Sequence, residues 1–67
     1  MNANELKAQL VLNDKTILDY SKALGISRSA LYRKLRGLTD FSREEIQKTI
    51  TFLGLTSDKA MNIFFTS

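Results

Sequence analysis

The 67-residue chain has no cysteine, no histidine and no proline. Without cysteine there is no disulfide framework, and without cysteine or histidine the usual zinc sites lose the ligands they draw on most. Neither a metal nor an organic cofactor is expected. The seven carboxylates form no pattern of paired acid and base, and there is no glycine-rich phosphate cradle or nucleophile elbow. An enzymatic role is therefore not expected. Long apolar runs are missing too: the run from Leu10 to Leu12 is far short of a membrane span. The N-terminus has no basic region leading into an apolar stretch, so neither a signal peptide nor a membrane partner is expected, and the expected location is the cytoplasm.

What remains is a small chain with helical patterning. The absence of proline and the lack of sustained period-two alternation favour an all-α fold. Residues 1–67 make a single domain. A chain this size buries only about 60% of the surface it exposes when unfolded, so it relies on close helix packing or on a partner subunit. Asn4 is a candidate cap for a first helix running to about Leu12, with Leu6 and Leu10 facing inward. Asn13, Asp14 and Lys15 suit a turn. Thr16 and Asp19 resemble a capping box for a second helix that ends at Leu24, with Tyr20 and Leu24 on one side. Ser42 and Glu45 form another, opening a helix with an apolar stripe of Ile46, Ile50 and Leu53 that Gly54 closes. Ser57 or Thr56 can cap a last short helix. The expectation is a compact bundle of about five short helices.

The stretch from Gly25 to Gly37, G-I-S-R-S-A-L-Y-R-K-L-R-G, is the most informative. Gly25 supplies the positive φ that a tight turn between helices needs, and Ser27 can cap the helix that follows. On a helix spanning 27–36, Leu31 and Leu35 share one face, while Arg28, Ser29, Tyr32, Arg33 and Arg36 share the other. Gly37 is placed to end it in the left-handed conformation. From Tyr20 to Thr39 there are five bases (Lys22, Arg28, Arg33, Lys34 and Arg36) and no acid, so the net charge of +3 is concentrated here. Two short helices meeting at a glycine, the second basic, is the helix-turn-helix arrangement that enters a DNA major groove. Arginine can pair bidentately with guanine, and Tyr32 can touch a base or a phosphate or pack at the helix edge. Ser27, at a helix N-terminus, can serve both as cap and as backbone contact. The Lys34 stem is expected to cover apolar surface while its ammonium reaches water.

The run from Thr16 to Gly37, with the serine-capped helix after it, resembles the lambda-repressor-like helix-turn-helix domains of phage repressors and Cro proteins. It is most similar to small phage-encoded domains of Gram-positive bacteria with the signature G-[IVL]-S-R-x-x-L-x-x-K-L-x-G, here Gly25, Ile26, Ser27, Arg28, Leu31, Lys34, Leu35 and Gly37. The tail L-G-L-T…I-F-F, Leu53 to Phe65, is similar as well, so the resemblance spans roughly residues 16–65. It implies about five helices and a transcriptional regulator of the repressor or Cro type in a bacterial cytoplasm, associated with the nucleoid. It also implies sequence-specific binding to duplex DNA, usually as a dimer on a palindromic operator. Carried onto this chain, it puts Arg28, Ser29, Tyr32 and Arg33 against bases, and Arg36, Leu38 and Thr39 against the backbone. Three positions depart from the pattern: Ile17 where a backbone-gripping glutamine is common, Ser21 where alanine is usual, and Lys34 where many relatives are apolar.

Apolar residues are in surplus toward the C-terminus. Phe52 lies off the Ile46–Ile50–Leu53 stripe, and Met61, Ile63, Phe64 and Phe65 spread around too much of their helix to share one core face. These five are the candidate homodimer interface, formed in solution or on DNA. The alternative is that Phe64 and Phe65 fold back on the first helix and complete a monomeric core. The same surplus supports a competing function, a helix-turn-helix scaffold acting as a protein-interaction module of the antitoxin or antirepressor type. RNA binding has less support, because one tyrosine is a poor stacking platform.

Overall fold

Five side-chain oxygens set where the helices begin. Asn2, Thr16, Ser27, Ser42 and Thr56 each accept a hydrogen bond from the backbone N–H three residues on, which satisfies an amide that a helix start leaves without a partner. In the computed structural model, which describes residues 1–65, these caps open α1 (Ala3–Leu12), α2 (Ile17–Leu24), α3 (Arg28–Leu35), α4 (Arg43–Leu53) and α5 (Ser57–Phe64). No strand occurs among the described residues. The capping boxes at Thr16–Asp19 and Ser42–Glu45 are both closed in each direction. Thr56 rather than Ser57 caps α5.

The first helix starts earlier than Asn4. Asn2 accepts from Glu5 through its side chain while its own N–H donates to the Ile63 carbonyl at 2.7 Å. This tie to α5 fixes the chain two residues upstream of the expected cap. Glu5 and Lys59 add an ion pair of 2.9 Å between the same two helices.

The ends of α1, α2 and α3 share one device. After α2, Gly25 (φ +73°) donates to the Lys22 carbonyl and Ile26 to that of Ser21. After α3, Gly37 (φ +80°) donates to Lys34 and Leu38 to Arg33. These paired bonds cap the last carbonyls and need a left-handed residue between them. After α1 the same pair is made by Asp14 and Lys15, with Asp14 at φ 54°.

The core is Leu6, Leu10, Tyr20, Leu24, Leu31, Leu35, Leu53 and Ile63, with Ile17, Ile26, Phe41, Phe52, Leu55 and Phe64 packed partly against it. α2 lies chiefly on α4, α3 on α2, and α1 on α5. The expected α4 stripe is only partly inside. Leu53 is buried, but Ile46 and Ile50 are half-exposed and Thr49 is completely buried between them. The reason is a hydrogen bond of 2.7 Å between Thr49 and the phenol of Tyr20. The Thr49 hydroxyl also donates to the Glu45 carbonyl, which uses its only proton, so the Tyr20 hydroxyl is the donor of the pair. Tyr20 stacks with Phe52 and with Phe41, at centroid distances of 5.8 and 6.4 Å.

Ile63 is not interface material: it is fully buried within this one chain, held by the α1–α5 packing. Phe52 and Phe64 are half-buried, Phe52 on Tyr20 and Phe64 edge-on against Phe41 at 5.4 Å. Met61 and Phe65 are the two of the five that are largely exposed.

Candidate nucleic-acid interface

The face of α3 is set by its two buried leucines. Leu31 and Leu35 lock the helix onto the core, so the positions between them on the wheel must look outward. Ser27, Arg28, Ser29, Tyr32, Arg33 and Arg36 are all exposed, and Tyr32 keeps 49% of its surface open. Among the described residues, Arg28, Arg33 and Arg36 form no ion pair. Leu38 and Thr39, in the loop after α3, are exposed as well. Lys22 is exposed on α2, one turn beyond Asp19. The Ser27 oxygen is occupied, since it accepts from the Ala30 N–H at 3.1 Å.

Three guanidinium groups, one phenol and a serine hydroxyl thus point outward from α3 and its C-cap, and among the described residues the guanidinium groups have no acidic partner. Such a face can donate to phosphate oxygens and to the acceptor edges of guanine. Eight residues make a helix about 12 Å long, comparable with the width of a major groove.

Lys34 is mostly covered, as expected of its stem, but its ammonium also has partners within the chain. Its ammonium lies 3.0 Å from a Glu45 carboxylate oxygen and 2.9 Å from the Asp40 carbonyl, and sits over the Phe41 ring. Glu45 responds in turn. Its burial would raise the pKa, but hydrogen bonds from the Ser42 backbone and from Lys34 outweigh this and hold the carboxyl below the ordinary value. The exposed charge of the 20–39 segment is accordingly four bases, not five.

The departures from the resemblance are absorbed locally. Ser21 is buried, with its hydroxyl donating to the Leu18 carbonyl at 2.9 Å. Ile17 lies against the core, half-buried. No helix among the described residues is long and apolar enough to cross a membrane. Compared with protein-family models, characterised proteins and solved structures, the chain finds no match in any of the three.

Proposed function

We propose that this chain is a sequence-specific, duplex-DNA-binding regulator of transcription, built on the lambda-repressor-like helix-turn-helix plan of phage repressors and Cro proteins. α2, the Gly25 turn and α3 form the motif, and α3 enters the major groove. Arg28, Ser29, Tyr32 and Arg33 face base edges, and Ser27, Arg36, Leu38 and Thr39 meet the backbone. The observation that carries this reading is that, among the described residues, Arg28, Arg33 and Arg36 form no ion pair, on a helix whose opposite face is buried. A merely solvated helix face on a small domain tends to interleave both signs, and this one has only one.

The test is selection from random duplexes followed by measurements on the enriched site. Replacing both Arg28 and Arg33 by alanine is expected to abolish preference for that site with helicity unchanged. An arginine on guanine is worth about 1–3 kcal/mol at one base position, whereas one on phosphate weakens all sequences alike. Unchanged affinity in the double variant would overturn the proposal.

A protein-interaction module is the second reading. A groove of about 660 Å³ favours it, running between the α3–α4 loop and the chain ends and lined in part by Met1, Arg36, Phe41, Ile46, Phe64 and Phe65. Featureless retention of all duplexes in the selection would leave only charge-driven binding, whereas unchanged affinity in the double arginine variant would favour the interaction module.

A further inference from the structure

We infer that Lys34 is a positioning residue: it fixes the end of α3 and the loop at 37–41 against the start of α4, and lends none of its charge to nucleic acid. The inference rests on the DNA-binding reading for what is positioned, and on geometry for the clamp itself.

A lysine ammonium has three N–H donors and no acceptor. Here one points to the Glu45 carboxylate and one to the Asp40 carbonyl, while the Phe41 ring lies 5.7 Å from the nitrogen. Both side chains of the Lys34–Glu45 pair are only 15% exposed, against 44% and 78% for the surface pair Lys48–Glu44. Reaching a phosphate would strip Lys34 of all three partners and leave Glu45 half-desolvated without its cation. Among the described residues, the exposed guanidinium groups of Arg28, Arg33 and Arg36 have no such tie.

The clamp adds a polar tie between three elements that otherwise meet through the core and the Phe41 ring. Glu45 is the acidic member of the capping box that starts α4, and the same carboxylate oxygen that accepts from Ser42 N–H contacts Lys34. Asp40 is the last loop residue but one before that cap. At the other end, Gly37 and Leu38 turn the chain out of α3. The loop presenting Leu38 and Thr39 is therefore held at both ends, by the helix end behind it and by Lys34 ahead of it. An exposed backbone-contacting loop can keep one orientation toward the groove only if something fixes it, and pre-ordering it lowers the entropy cost of binding.

The experiment compares Lys34→Met, Glu45→Gln, the double variant and Lys34→Arg with Arg36→Ala as a control. Methionine keeps the apolar stem, and glutamine keeps the capping acceptor. Without DNA, amide hydrogen exchange is expected to rise severalfold in Lys34→Met and Glu45→Gln, confined to residues 37–42 and the last turn of α3. The double variant should go no further than either single one, and Lys34→Arg should restore protection. With the selected duplex, Lys34→Met is expected to bind more weakly with the salt slope intact, while Arg36→Ala lowers that slope by about one. A slope lowered by about one in Lys34→Met makes Lys34 a phosphate contact and overturns the inference. So does unchanged exchange at 37–42. Because the exchange measurements contain no DNA, a failure to bind any duplex would sink the proposed function without deciding the clamp.

Discussion

At the scale of single residues, the most consequential pair is Tyr20 and Thr49, which places a hydroxyl-to-hydroxyl bond in the middle of a leucine core. Thr49→Val should cost about 1–3 kcal/mol, because the Tyr20 hydroxyl is then buried with nothing to donate to. Tyr20→Phe should cost less, since Thr49 keeps its bond to the Glu45 carbonyl. The double variant, which leaves no orphaned group, should be more stable than Thr49→Val alone, as read from chemical denaturation midpoints. Strictly additive losses would show that the two hydroxyls do not act together. Burial, only partly offset by the bond to Thr49, also pushes the Tyr20 phenol from 10.0 up to about 12. Its folded-state pKa is raised, so its contribution is complete below about pH 10 and is lost as pH climbs toward about 12. Wild type should therefore lose stability faster than Tyr20→Phe across that window. The sequence pattern did not disclose this pair. Threonine reads as polar in a helical stripe, and only the partner on another helix makes it a core residue. Leu31 and Leu35, by contrast, were legible because their four-residue spacing alone puts them on one face.

Among the elements, the turn between α2 and α3 carries the geometry of the proposed reading head. Gly25 has φ +73°, and nothing lies within 4 Å of where a Cβ would sit, so any cost of substitution is conformational rather than steric. Gly25→Ala is expected to destabilise by about 1–2 kcal/mol, and Gly25→Asn by less, because asparagine tolerates the left-handed region. Thermal melting of both variants checks this, and equal losses would contradict it. The starts of α2 to α5 and the stops of α2 to α4 were legible because short polar caps and glycines are local signals. The start of α1 was not, because it depends on a bond from Asn2 to Ile63 at the far end of the chain. The turn after α1 was legible as polar, yet nothing local singles out Asp14 for the left-handed role it takes. The tie of Lys34 was not legible for a related reason: its partner Glu45 lies across a loop, where helical spacing says nothing.

For the whole molecule, size bears on stoichiometry. The longest dimension of the Cα trace is 28 Å, shorter than the roughly 34 Å between successive major-groove faces. One copy cannot reach two half-sites, and one short helix reads too few base pairs to single out an operator. The expected outcome is two copies per palindromic duplex, measured by sedimentation with and without DNA. Met61 and Phe65 are the exposed apolar residues of the C-terminal third available for the pairing, with the half-buried rings of Phe52 and Phe64 beside them. One copy per duplex at saturation would exclude the dimer. Surplus apolar character near the C-terminus was visible in the sequence, but which of those side chains the chain keeps for its own core was not. Ile63 went inward because α1 supplies the opposite wall, a fact only the tertiary arrangement contains.

That same arrangement bears on the order of events during synthesis. The amide of Asn2 waits for the carbonyl of Ile63, and Glu5 waits for Lys59. Ribosomes add about 5–20 residues per second, so α1 exists for several seconds before its closing partner has been made. An isolated helix of ten residues is marginal in water, so α1 depends on the rest of the core to cover Leu6 and Leu10. The seat of α1 on α5 is therefore the last piece of the helix packing to close, after the arginine-bearing helix has already met α2 and α4.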